Sequence, residues 1–214
     1  MRKEELIAFE ERIQDLFEAG EIRAPVHLSG DNEDALMEIF QEYRPGEWIF
    51  STWRNHYHWL LSGRDPAELE RQIRAGDSMS IFGERFFTSS IVGGIAPIAL
   101  GVALALQLKE EGAEKEESSP KTETEGLRAA SSRVWCFLGD MAAAGGLASE
   151  CIRYAEGHDL PICFVIEDNG LSVSTETAKA WGTRGAKKIR RYHYRRKYPH
   201  AGTGRYVVFD STTE

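Results

Sequence analysis

The sequence predicts an α/β fold with a mostly parallel sheet flanked by helices. Two short apolar runs, "VWCFLGD" (134–140) and "LPICFVIEDN" (160–169), enclose a stretch of helical pattern, "AAGGLASECIRYAEGHD". Strand, helix and strand of this length make a right-handed βαβ unit whose parallel strands are buried on both faces. Segments of helical periodicity lie ahead of this unit, as a sheet covered by helices requires.

Residues 3–18 place Leu6, Ile7, Phe9, Ile13, Leu16 and Phe17 at helical spacing. A second helix carries Leu36, Met37, Ile39 and Phe40, with Asp31 or Asn32 as its cap. "DPAELERQIRAG" reads as a third helix: Asp65 caps it, Pro66 opens it, Glu68 closes a capping box and Gly76 ends it. The stretch "SSIVGGIAPIALGVALALQLK" is apolar on all sides and rich in small residues, which predicts a buried helix entered through a small-residue loop, Ser89 to Gly94. "KEEGAEKEESSPKTETEG" follows, with Lys109, Lys115 and Lys121 among seven glutamates; it cannot bury enough apolar surface to order itself and is expected to be a solvated insertion at 109–127. Beyond the βαβ unit, eight of the fourteen residues from Arg184 to Lys197 are Lys or Arg, and "RYVVFD" is expected to form the last strand.

The chain has 214 residues, a net charge of −8 and 42% hydrophobic residues, the profile of one ordinary globular domain whose whole surface does not suit nucleic acid. No run of 18 apolar residues is present, and the charged, amphipathic start "MRKEELIAFEERIQDLFEAG" is not a signal-peptide pattern, so a cytoplasmic protein is expected. Cys136, Cys151 and Cys163 have no C-x-x-C spacing and lie in or beside apolar runs, as small core residues do.

The chemistry is concentrated at the two strand ends. Gly139-Asp140 stands 29 residues ahead of Asp168-Asn169. In open α/β sheets ligands sit beyond the carboxyl ends of the strands, so adjacent strands would bring these side chains together. A helix start with small residues from Ala142 to Gly146 suits a phosphate, yet Asp140 would repel one. A hard cation removes the conflict: magnesium takes a carboxylate, an amide oxygen and a backbone carbonyl, and fills its octahedron with diphosphate oxygens and water. Taken singly, Gly-Asp is a turn with a cap and Asp-Asn-Gly another turn. Paired on one βαβ unit they point to a shared site, though residue types alone also fit other metal-dependent phosphate enzymes.

These residues resemble the thiamine diphosphate motif, which begins Gly-Asp-Gly and ends in Asn-Asn. Most of the chain is similar to the alpha subunit of the thiamine diphosphate-dependent first component of 2-oxo acid dehydrogenases, in the transketolase-like superfamily. The likeness runs from "HLSGDNEDALMEIFQEYRPGEWIFSTWRNHYHWLLSG" through "SMSIF" and "SSIVGGIAPIALGVALAL" to "LGDMAAAGGLASECIRYAEGHDLPICFVIEDNGLSVST". It implies an N-terminal helical segment, 1–25, followed by a diphosphate-binding α/β domain, 26–214.

Carried over by position, the resemblance implies that Asp140, the Asn169 side chain and the Leu171 carbonyl hold magnesium. Gly139, Met141 and Ala142 lie along the diphosphate, Arg54 of "TWRNH" reaches it, and Ile91, Val92 and Gly93 receive the aminopyrimidine of thiamine diphosphate. His56 matches a histidine near the active site and is the catalytic candidate. Four positions depart from the pattern. Trp53 stands where a tyrosine is usual, Ser90 replaces a glycine, Asp168 replaces the first asparagine, and Met141 replaces the third residue of Gly-Asp-Gly, where a side chain would crowd the diphosphate unless it points away.

The activating glutamate of the family belongs to a beta-type, pyrimidine-binding subunit. The resemblance therefore implies an α2β2 assembly, active on a 2-oxo acid only with that partner. The substrate-handling histidine loop of the family has no alignable counterpart, although His193 and His200 lie in the basic, tyrosine-interleaved stretch. That stretch suits a solvated face, an anionic partner or substrate, or, third, nucleic acid. Besides 2-oxo acid decarboxylation, the alternatives are ketol transfer of the transketolase type and a noncatalytic or regulatory subunit working through residues 184–197.

Overall fold

A computed structural model describes residues 1–116, 133–182 and 189–209. A six-stranded sheet organises it. β1 (Trp48–Ser51), β2 (Phe82–Gly83), β3 (Phe86–Thr88), β4 (Val134–Gly139), β5 (Ile162–Asp168) and a late strand, Arg190–His193, lie in the order β2-β3-β1-β4-β5 and then the late strand. The β2–β3 pair is antiparallel and every other pairing is parallel. A small hairpin, β6 (Leu171–Ser172) with β7 (Thr175–Glu176), projects after β5, so the late strand is β8.

Side-chain alternation divides the core into two layers. Trp135 and Phe137 of β4, with Val165 of β5, face one cluster, together with Leu6, Ile13, Tyr57 and Leu60. Val134, Cys136 and Leu138, with Phe164 and Ile166, face the other. A strand buried on both faces needs apolar residues at every position, which is why 134–139 reads as a continuous apolar run. The first cluster is covered by α1 (Lys3–Glu18), α2 (Glu33–Phe40), α3 (His56–Leu61) and α4 (Pro66–Arg74). The second is covered by α5 (Ile95–Glu116) and α7 (Gly146–Gly157), α7 following the short α6 (Asp140–Ala144). α1 buries Leu6, Phe9 and Ile13 in the first cluster.

Several expectations need correction. α5 is not buried all round: Ala96, Ala99 and Ala103 face the core, whereas Ile98 and Leu108 are exposed. α5 also continues to Glu116, so the first part of the expected acidic insertion is helical, and 117–127 lies outside the described residues. Gly145, with extended backbone, breaks the expected helix after β4 into α6 and α7. The last strand is formed by the basic segment, because Arg190–His193 pairs with Val165–Asp168; residues 205–209 form no strand. Asp65 does cap α4, accepting the Ala67 N–H at 2.9 Å, but Glu68 binds Arg71 and Gln72 rather than the cap backbone. Cys136 and Cys151 are buried and Cys163 partly so, all as free thiols. Burial pushes the Cys136 thiol far above its ordinary range, which makes it inert. Among the described residues, no helix is long and apolar enough to cross a membrane.

Candidate active-site cleft

Parallel strands β1, β4 and β5 are neighbours and point the same way, so their carboxyl ends open on one side of the sheet. β1 runs out into Thr52, Trp53 and Arg54, β4 into Gly139 and Asp140, and β5 into Asp168 and Asn169. A solvent-open cleft lies over these ends. Arg54, Ile91, Val92, Gly93, Gly139, Asp140, Met141, Ala142, Asn169 and Leu171 all line it, which is every expected cofactor or metal residue.

Asp140 is 3% exposed and accepts a hydrogen bond from the Thr177 hydroxyl of α8 (Thr177–Trp181). Burial raises its pKa, opposed by the Thr177 hydroxyl and by the backbone N–H of Asn169, which also brings the two strand ends together. The Asn169 amide is held on both sides: Nδ2 donates to the Tyr194 hydroxyl at 2.9 Å, and Oδ1 accepts the Leu171 N–H at 3.0 Å. Arg54 is fixed by two carbonyls from distant segments, donating from Nε to Leu28 at 3.1 Å and from Nη2 to His200 at 3.2 Å. Gly93 has φ +75, which suits glycine, and Ser90 is not among the positive-φ residues, so serine is tolerated there. Met141 lines the cleft. Trp53 also lines the cleft, and its buried indole N–H has no partner among the described residues.

His56 is placed differently from the expectation. It is fully enclosed, its Nδ1 lies 2.9 Å from the Glu10 carboxylate of α1, and it does not line the cleft. The reason is local: His56 opens α3, which turns inward against α1, whereas Arg54 is still in the loop at the strand end. His58 is likewise internal, between the Ser51 hydroxyl at 2.8 Å and Glu167 at 3.2 Å. The histidine that does line the cleft is His200, in edge contact with His27 at 5.0 Å between centroids. Burial, then the charges of Arg54 and Arg196, keep the His200 pKa below the ordinary range.

Other residues at the cleft or behind it carry no motif. Thr177, which bonds Asp140 from behind, follows a hairpin whose position depends on β5, and its N–H bonds the Gly170 carbonyl at 2.9 Å. Tyr194, Arg196 and His200 belong to the basic stretch, whose composition marks positive charge but not its direction. β8 directs much of it inward. Arg191 pairs with Asp168 at 2.5 Å, Arg190 with Glu42 at 2.8 Å, and the Tyr192 hydroxyl bonds Glu167. Arg184, Lys187 and Lys188 lie outside the described residues.

A parallel α/β sheet with an acid, an amide and a guanidinium at adjoining strand ends defines a ligand-binding domain of the strand-end type. The chain belongs to the dehydrogenase E1 component family, whose model matches residues 1–191. It is 29% identical over 187 residues to the alpha subunit of acetoin:2,6-dichlorophenolindophenol oxidoreductase from Cupriavidus necator, covering 82% of this chain and 50% of that one. It is 30% identical over 185 residues to the pyruvate dehydrogenase E1 component alpha subunit of Zymomonas mobilis, covering 80% and 47%. The corresponding Rickettsia felis subunit is 27% identical over 184 residues, covering 80% and 51%. The chain thus spans about half the length of the curated relatives it matches.

Proposed function

We propose that the chain is an alpha-type subunit that binds the diphosphate of thiamine diphosphate through magnesium and forms, with a beta-type pyrimidine-domain partner, an enzyme for oxidative decarboxylation of a 2-oxo acid. One observation carries this reading: Asp140, Asn169 and Arg54, from three neighbouring strand ends, line one cleft.

The residues present fit the group. Asp140, the Asn169 Oδ1 and the Leu171 carbonyl are hard oxygen donors of the kind magnesium takes, and Asn169 Oδ1 keeps a second lone pair beyond its bond to Leu171. Among the described residues no cluster of three or more His, Cys, Asp or Glu could hold a metal, so a transition-metal cage is not the chemistry on offer. With a single carboxylate from the chain, the cation would complete its coordination from the diphosphate and water. Arg54 suits a phosphate by its fork, and the unpartnered Trp53 indole N–H is a further donor at the same wall. Gly139, Met141 and Ala142 lie along the diphosphate, and Ile91, Val92 and Gly93 take the aminopyrimidine. Bound thiamine diphosphate supplies the nucleophile and electron sink for decarboxylation. The chain supplies orientation, charge compensation and exclusion of water from the strand ends.

The partner is supported by an apolar surface continuous with the cleft. Ile91 and Val92 are 71% and 58% exposed at its rim. Leu147, beside Gly93, extends the patch, and Ile98 and Leu108 are exposed on α5. Such a face suits a permanent subunit interface, here of the α2β2 type. The three free thiols agree with a reducing compartment such as the cytoplasm.

A noncatalytic subunit is the competing reading, favoured by Met141 lining the cleft where the motif has glycine. Calorimetry of the full chain, with and without its beta-type partner, separates the two. Magnesium-dependent thiamine diphosphate binding that disappears in Asp140→Ala and Asn169→Ala is the expected result; no binding even with the partner overturns the proposal.

A further inference from the structure

Arg54 and Arg196 line the same cleft from different chain segments, one after β1 and the other after β8. Among the described residues neither forms an ion pair with a carboxylate. Arg54 donates to the Leu28 and His200 carbonyls, and Arg196 donates from Nη1 to the Val173 carbonyl at 3.0 Å. Carbonyls orient a guanidinium without neutralising it.

The carboxylates nearby are already engaged. Glu167 accepts from Tyr192 and lies 3.2 Å from His58 Nε2, Asp168 pairs with Arg191, and Asp140 accepts from Thr177. Burial, followed by the charge of Arg54, lowers the Arg196 pKa, which is the mark of a partly desolvated cation facing a like charge. The neighbouring His200 has its pKa held below the ordinary range, so near neutral pH it adds no positive charge of its own. The Trp53 indole N–H, buried at the same cleft, also lacks an acceptor among the described residues. Two guanidiniums and an indole donor around one opening call for an anion between them.

We propose that Arg196 is a second anion-binding residue of this cleft, taking a phosphate or carboxylate group beside Arg54. The inference deepens the reading of the cleft as a diphosphate site and rests on it for the identity of the ligand. The group is either the terminal phosphate of the cofactor or the carboxylate of the 2-oxo acid. Arg196 follows Tyr194, which holds Asn169, and is anchored at Val173, the tip of the β6–β7 hairpin, so it stands at the wall shared by both groups.

The test is calorimetric titration of the full chain with inorganic diphosphate plus magnesium in one arm and oxalate in the other. The proteins compared are the wild type, Arg196→Gln, Arg196→Lys, Arg54→Gln and the control Arg195→Gln, which alters an exposed arginine outside the cleft. Arg196→Gln should weaken binding about tenfold, equivalent to about 1.4 kcal/mol, with Arg196→Lys between it and the wild type. A loss in the diphosphate arm assigns the phosphate, and one confined to oxalate assigns the carboxylate. Unchanged binding in both arms, an equal loss in Arg195→Gln, or no binding of either probe by the wild type overturns the inference. The two readings fail separately. Arg54→Gln weakening diphosphate while Arg196→Gln does not removes only Arg196. Conversely, Arg196-dependent diphosphate binding in a chain that never binds thiamine diphosphate, even with its partner, removes only the cofactor.

Discussion

Asn169 at the end of β5 and Tyr194 just beyond β8 share a hydrogen bond of 2.9 Å, the amide Nδ2 donating to the phenol oxygen. It completes a set: Tyr192 holds Glu167, Arg191 holds Asp168 and Tyr194 holds Asn169, so β8 and the residue after it grip three consecutive residues at the strand end. With Nδ2 engaged, Oδ1 is the amide atom left to face a cation. Tyr194→Phe should therefore weaken magnesium-dependent cofactor binding at least tenfold, the usual cost of losing a hydrogen bond behind a metal ligand, while leaving the circular dichroism spectrum unchanged. Unaltered affinity in calorimetry would show that Asn169 needs no such support.

His56 and Glu10 make a buried pair that ties α3 to α1, and Glu10 also accepts the Ser29 N–H at 2.9 Å. Glu10→Ala strips partners from two enclosed groups and should destabilise the fold by about 3 kcal/mol, read as a lower urea midpoint. If His56 instead acts on substrate, Glu10→Ala should alter turnover more than the urea midpoint.

His27 is 3% exposed, and its pKa is lowered to about 3, chiefly by burial and then by the charges of Arg54, His200 and His56. Trp53 and His200 pack against its ring. The unfolded chain, with an ordinary histidine, takes up a proton in a window where the folded chain does not. Stability from this residue is therefore complete above about pH 6.5 and falls on acidification, by up to about 1.4 kcal/mol per pH unit, until the folded pKa is reached. Urea titrations between pH 7 and pH 5 should show a shallower decline for His27→Gln than for the wild type.

Val173 occupies φ +56 at the tip of the β6–β7 hairpin, a conformation that crowds a β-branched side chain. Its carbonyl receives Arg196 and its side chain lines the cleft. Val173→Gly relieves strain on the order of 1 kcal/mol and should raise the melting temperature slightly in differential scanning calorimetry. A lowered melting temperature would mean that contacts of the valine outweigh the strain.

The exposed side of α5 offers a test of assembly. Ile98 and Leu108 are 43% and 59% exposed, so aspartate at either position leaves the folded chain intact. Ile98→Asp with Leu108→Asp should abolish co-purification with a beta-type partner without moving the urea midpoint. Retained co-purification would place the interface elsewhere.

Much of the cleft is legible in the chain because it sits at strand ends, where continuous apolar runs stop at Gly139-Asp140 and Asp168-Asn169. Arg54 is legible as part of a motif, although the strand that carries it, Trp48–Ser51, has too few residues to show a period. His56 misleads because a single residue, Asn55, separates the loop arginine Arg54 from the start of α3, and that short step turns the side chain from cleft to core. The β8 strand is hidden in the opposite way. Its Arg and Tyr residues read as solvated surface, yet each finds an acidic partner, Asp168 and Glu167 on the neighbouring strand or Glu42 in the turn after α2.

By itself the sequence determined the parallel α/β architecture, the two-faced burial of β4 and β5 and the acid–amide pair beyond them, since all three follow from local patterns of apolar and polar residues. Tertiary structure decided what the basic segment does, which histidines are enclosed and which one meets the cleft, and which face of α5 remains bare. Those outcomes depend on which strands become neighbours, and pairings between residues far apart in the chain leave no periodic trace within it.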